Sequence, residues 1–128
     1  MDERVLLVED DPSIREVASL GLSQAGFRVT ASANGRDGLI QFRNQSFDLV
    51  VLDIMLPDIN GKEVCQRVRA DDTLEQVKII CISGMVEQDK VADLRAAGAD
   101  DFLQKPFTID KLLDRCCDLL EMERAVLA

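Results

Sequence analysis

The sequence predicts an α/β fold, a doubly wound parallel sheet of five strands with five helices. Three observations predict it. Short apolar β-type runs alternate with longer helical patterns from end to end, which is the signature of successive βα units. The runs are continuous, as in Leu49-Val50-Val51-Leu52, as strands covered on both faces must be. Residues suited to helix ends, such as Asp11-Pro12, Gly26, Gly98 and Thr108, bracket the helical stretches.

Taken in order, Arg4–Val8 is the first strand. Asp11 and Pro12 read as N-cap and first residue of a helix running to Gly26, where glycine suits a helix terminus. Phe27–Ala31 is the second strand. Asn34-Gly35 is a turn signal, and a helix through Gly38–Arg43 follows it. Phe47–Asp53 is the third strand, and Pro57-Asp58-Ile59-Asn60-Gly61 is a loop by its turn chemistry. The next helix places Gly61, Val64, Cys65 and Val68 on one stripe. Lys78–Ser83 is the fourth strand, followed by a helix from near Val86 to Ala97 that Gly98 closes. Asp101–Gln104 is the fifth strand. Thr108 caps the last helix, whose stripe reads Ile109, Leu112, Leu113, Cys116 and Leu120.

A chain of 128 residues with 47% apolar content is one domain's worth, expected to span residues 1–128 without repeats. Fifteen basic against 24 acidic residues leave a net charge of −9, which repels phosphate backbones and anionic membranes. Direct nucleic-acid binding and membrane association are not expected. No apolar run approaches the roughly 20 residues that cross a bilayer, and the start of the chain has no apolar leader. Histidine is absent, which removes Ser-His-Asp catalysis, His-ligated zinc and an internal phosphohistidine. Cys65, Cys81, Cys116 and Cys117 lack CxxC spacing and read as reduced thiols, so a cytoplasmic location is expected.

In a doubly wound sheet the ligand site lies beyond the carboxyl ends of the strands, where strand order reverses. There the sequence places Glu9, Asp10 and Asp11 after strand one, Asp53 at the end of strand three, Ser83 at the end of strand four, and Lys105 after strand five. Taken singly, Asp10 or Asp11 is a helix cap, Ser83 a strand end and Lys105 a solvated cation. Taken together they form one acidic cleft. Several carboxylates in one cleft require protonation or a hard divalent cation, and an oxygen-rich, half-open site suits Mg²⁺.

These motifs resemble the receiver domain of bacterial two-component response regulators over essentially the whole chain. The resemblance rests on Leu7-Val8-Glu9-Asp10-Asp11, on the stretch from Asp53 to Gly61, on Ile82-Ser83-Gly84, and on the stretch from Gly98 to Phe107, in that order and spacing. It implies the flavodoxin-like strand order 2-1-3-4-5 and a cis Lys105-Pro106 bond. It implies Asp53 as phosphoacceptor and a Mg²⁺ site formed by Glu9, Asp10, Asp53 and the backbone carbonyl of Met55. Ser83 and Lys105 would contact the phosphoryl group, and Ser83 with Phe102 would form the switch. The donor would be a phosphohistidine on a sensor histidine kinase or a histidine phosphotransfer protein. Phosphorylation would change the face made by helix four, strand five and helix five. The protein would thus be a phosphoacceptor and not an enzyme acting on external substrates.

Phe102 stands where many relatives carry tyrosine, so packing alone positions it. Lys90, Asp100, Asp101, Lys111 and Arg115 give the output face mixed charge. Ala97 and Lys111 depart from the ion-pair set of relatives that dimerise there, while an Asp101–Arg115 pair and a homodimer are left open. Beyond Leu113 the apolar residues exceed one core stripe. Leu119, Met122 and Val126 suggest a helical seam, with 119–128 as a linker to an effector domain in cis or a contact for an output protein in trans. Competing readings fit less well. A flavin carrier wants a Ser/Thr/Gly-rich phosphate loop where Glu9-Asp10-Asp11 stand, and the seven glycines form no nucleotide loop. An aspartyl-phosphate phosphatase wants an acid at Met55. The alternative kept open is a pseudo-receiver, an interaction module that is never phosphorylated.

Overall fold

The computed structural model describes residues 3–72, 77–84 and 88–122. Its elements run β1 (Arg4–Val8), α1 (Pro12–Gln24), β2 (Arg28–Ser32), α2 (Gly35–Asn44), β3 (Leu49–Asp53), α3 (Gly61–Asp71), β4 (Lys78–Ser83), α4 (Gln88–Ala97), β5 (Asp101–Gln104) and α5 (Ile109–Leu119). All neighbouring strands are parallel, in the order β2-β1-β3-β4-β5. The expected fold class and strand order are both present.

The continuous apolar runs resolve into two alternating sets. Leu6, Val8, Val50, Leu52, Ile79 and Cys81 share one core with Val64, Cys65 and Val68 of α3. Val5, Leu7, Val51, Ile80 and Ile82 share the other with Ala18 and Leu22 of α1 and Leu112, Leu113 and Cys116 of α5. Successive strand residues point to opposite faces, so a sheet covered twice needs apolar residues at every position. Each fully buried Leu or Ile contributes roughly 1.5–3 kcal/mol relative to exposure. Gly38 lets α2 lie close over β1, because a Cβ there would stand 2.8 Å from Val8 Cγ2. All four cysteines are buried, and none of them forms a disulfide among the described residues.

Three expected boundaries shift, each for a local reason. β2 begins at Arg28, because the Phe27 N–H is used on the Leu22 carbonyl to close α1, and the Arg28 N–H then meets Glu3. Asn34 is not a turn residue but the N-cap of α2, its side chain accepting from the Asp37 N–H at 2.8 Å, so the helix starts at Gly35. β3 begins at Leu49, with Phe47 left in the connection and its ring stacked on Phe42. The expected α4 start at Val86 lies outside the described residues, and Gly98, with φ of 117°, closes that helix. α5 stops at Leu119, where Leu120 caps it and Glu121 turns away with φ of 54°. Leu119, Leu120 and Met122 pack against the domain's own core, so the first part of the expected seam is covered from within. Val126 lies outside the described residues. None of the described helices is long and apolar enough to cross a membrane.

Candidate functional site

The chain reverses its direction across the sheet between β1 and β3, and the acidic residues stand at that point. Glu9 follows the last residue of β1, its N–H held by the Ser32 carbonyl at 3.0 Å. Asp53 is the last residue of β3 and pairs with Ile82, so Ser83, the last of β4, stands one residue further along at the same sheet edge. Lys105 directly follows β5 and is joined to Pro106 by a cis bond, and its own N–H donates to the Ser83 carbonyl at 2.7 Å. The four strand ends that the sequence singled out do converge.

The site is largely sealed. Glu9, Asp53 and Ser83 are 1%, 3% and 2% exposed, whereas Asp10 faces solvent. Carboxylate oxygens of Glu9, Asp10 and Asp53 lie within 4.8 Å of one another. Lys105 Nζ bridges the buried pair, 2.9 Å from Glu9 Oε1 and 3.1 Å from Asp53 Oδ2. It donates a hydrogen bond to Asp53 and pairs with Glu9 by charge, so one cation serves both buried carboxyls. Glu9 Oε2 accepts from the Asp11 N–H at 3.1 Å, and Asp53 Oδ1 from the Met55 N–H at 2.9 Å.

Burial, then a hydrogen bond shared with Asp53, pushes the Glu9 carboxyl up to about 7. Burial would raise Asp53 as well, but Glu9, the Met55 N–H and Lys105 together outweigh it and hold Asp53 below the usual range. Burial works against the Lys105 charge too; the two carboxylates win, and its pKa is raised. The cleft therefore holds a proton on Glu9 until pH rises past about 7. A divalent cation can displace that proton. The clustered hard oxygen donors of Glu9, Asp10 and Asp53 and the open Asp10 side fit Mg²⁺, which takes few protein ligands and retains water. Met55, whose carbonyl the sequence nominated, is on the loop just after Asp53. That loop is pinned by Gly61, where a Cβ would press within 2.7 Å of the Ile54 backbone.

Asp11 is the N-cap of α1, accepting from the Ser13 and Ile14 N–H groups at 2.8 and 3.1 Å, and stands apart from the acidic cluster. Phe102 is half-buried against the α3-side core, with the Arg95 guanidinium 4.8 Å over its ring. Asp101 and Arg115 pair with each other at 2.8 Å within the chain. Two contacts beside the site escaped the sequence reading. Arg15 Nη1 donates to the Glu9 and Asp10 carbonyls, and Asp58 caps α2 from the β3–α3 loop through the Gly35 and Arg36 N–H groups, both at 2.9 Å. A basic residue in the first turn of α1, where the helix dipole disfavours it, was the available signal for Arg15. An apolar groove of about 530 Å³ flanks the cleft, lined by Ile14, Val17, Ala18, Pro106, Phe107 and Ile109 and touching Lys105. Val17 and Leu20 on this helix are each 57% exposed.

The model of the response regulator receiver domain matches residues 5–116. The chain belongs to that family. The domain is 36% identical to the DNA-binding dual master transcriptional regulator RpaA of Synechocystis, over 91% of this chain and 48% of that protein. It is 44% identical to the transcriptional regulatory protein AfsQ1 of Streptomyces coelicolor, over 80% of this chain and 44% of that one. This receiver domain thus spans about half the length of the curated relatives it matches. Among solved structures it resembles the chemotaxis protein CheY4 of Vibrio cholerae, with a TM-score of 0.89 and 29% identity over 93% of this chain and 99% of that one. The response regulator DrrB, a Thermotoga maritima OmpR/PhoB homologue, gives 0.83 and 34% over 94% of this chain and 54% of that one.

Proposed function

We propose that this receiver domain accepts a phosphoryl group on Asp53 from a phosphohistidine of a sensor histidine kinase or histidine phosphotransfer protein. The observation that carries the reading is the placement of Asp53: a buried carboxylate at the switch point, kept ionised by Glu9, the Met55 N–H and Lys105, with two further carboxylates beside it. An Asp53 oxygen attacks phosphorus in line, the phosphorus–nitrogen bond breaks, and the donor imidazole departs with its electron pair. Glu9, Asp10, Asp53 and the Met55 carbonyl would hold Mg²⁺, which neutralises equatorial oxygen charge. Lys105 exchanges its ion pair with Asp53 for one with the phosphoryl group, and the Ser83 hydroxyl donates to a phosphoryl oxygen.

Drawing Ser83 toward the phosphate opens space that Phe102 fills, and the face of α4, β5 and α5 changes with it. The phosphate shifts this equilibrium only as far as it favours the inward state. Phe102 already lies half-buried, consistent with a resting state that leans inward. The apolar groove beside Lys105 suits the donor protein's surface. An effector domain in cis, reached through 119–128, or an output protein in trans receives the signal, and either fits a cytoplasmic protein. The pseudo-receiver reading has nothing in the cleft to favour it, since every expected site residue is present. The test is incubation with Mg²⁺ and acetyl phosphate, followed by mass-spectrometric mapping. Phosphate on Asp53, absent in Asp53→Ala and in excess chelator, supports the reading. Labelling that persists in either condition, or none in the native chain, overturns it.

A further inference from the structure

Two of the three clustered carboxylates come from the turn between β1 and α1, and that turn is held from both ends. Asp11 caps α1 with its carboxylate. Arg15 reaches back from the same helix, and its Nη1 donates to the Glu9 carbonyl at 2.9 Å and the Asp10 carbonyl at 3.2 Å. These are the backbone oxygens of the two residues whose side chains face Asp53. Arg15 stands at the end of the first turn of α1, which carries no acidic residue, so the helix dipole disfavours a cation there. Among the described residues its guanidinium bonds no carboxylate side chain; it is used on backbone.

We propose that Arg15 is a positioning residue for divalent-cation binding: by bonding the Glu9 and Asp10 carbonyls it fixes the turn that presents both carboxylates to a cation beside Asp53. This rests on the reading of that trio as the Mg²⁺ site. Groups that hold metal ligands in place from behind change affinity without touching the ion. A guanidinium serving only as counter-charge predicts the opposite sign, because removing a positive charge beside the cleft strengthens its attraction for a cation. The sign of the change therefore separates the two roles.

The test compares the full chain with Arg15→Met, which retains the apolar stem and removes every donor, and Arg15→Lys, which retains the charge without the planar fork. Mg²⁺ dissociation constants are measured calorimetrically at constant ionic strength, below the unfolding midpoint of each variant in chelator. Arg15→Met should weaken binding about tenfold or more, the effect of losing a group behind a ligand, and Arg15→Lys should recover part of that loss. Labelling of Asp53 by acetyl phosphate should then require correspondingly more Mg²⁺ for its half-maximal rate, with the maximal rate unchanged. Unchanged or tighter Mg²⁺ binding in Arg15→Met, or a lower maximal rate at saturating Mg²⁺, would overturn the proposal. A native chain that binds no Mg²⁺ would instead remove the metal-site reading on which it stands.

Discussion

Glu9→Gln should stabilise the metal-free fold at pH 8 and change it little at pH 4.5. Glu9 is 1% exposed, and its carboxyl is pushed from 4.5 up to about 7, by burial first and then by the hydrogen bond shared with Asp53. Between those two values the folded chain holds a proton that the unfolded chain releases. Stability therefore falls as pH rises through this window, and the full cost is present above about 7. At about 1.4 kcal/mol per pH unit, the shift amounts to roughly 3 kcal/mol. The amide retains a donor for Asp53 but fits the carboxyl's place imperfectly, so a net gain of about 1–3 kcal/mol is expected, or roughly 4–10 °C for a domain of this size. Circular dichroism melts at pH 4.5, 6 and 8 in chelator read this directly. Added Mg²⁺ should reverse the order at pH 8, because the native chain gains about 2.7 kcal/mol at a hundredfold excess over its dissociation constant and the variant has lost a ligand. A variant less stable than the native chain at pH 8 in chelator, or a gain independent of pH, would refute the reasoning.

Met55 stands 69% exposed two residues after Asp53 and cannot orient a hydrolytic water, so Met55→Asn should shorten the lifetime of the Asp53 phosphate by about threefold to tenfold in a dephosphorylation time course. Met85, two residues after Ser83 and expected to flank the same water path, lies outside the described residues. Arg95→Ala should remove a cation–π contact worth about 0.5–1 kcal/mol and shift the Phe102 ring toward Ser83 by about twofold to fivefold in population, read by NMR of a ring-labelled sample. Val17→Asp should slow transfer from a histidine phosphotransfer protein about tenfold by placing a charge on the apolar surface beside the cleft, while acetyl phosphate labelling stays unchanged.

The parts of the fold legible in sequence are those governed by local pattern. β1, β4 and β5 span the expected residues, each an apolar run entered through a polar residue, Arg4, Lys78 and Asp101. The stripe of Val64, Cys65 and Val68 is buried as its helical spacing requires. The convergence of Glu9, Asp53, Ser83 and Lys105 was readable because topology, not side-chain detail, places strand ends on one edge. What the sequence concealed depends on contacts with no period. Asn34 could start a turn or cap a helix, and only the Asp37 N–H at 2.8 Å decides. Phe27 reads as strand until its N–H is seen closing α1. The reach of Asp58 to the start of α2 and of Arg95 over Phe102 leaves no mark beyond an ordinary surface charge, and that of Arg15 to two backbone carbonyls leaves only its unfavourable place in the first turn of α1.

The central claim is that Asp53 takes a phosphoryl group from a histidine donor in a metal-dependent step. Its most direct test is transfer from a radiolabelled phosphohistidine phosphotransfer protein, followed in Mg²⁺ and in chelator for the native chain and for Asp53→Ala. Label should move to the native chain in Mg²⁺ alone and not to Asp53→Ala under either condition. Equal transfer to Asp53→Ala, or transfer undiminished by chelator, would contradict the account.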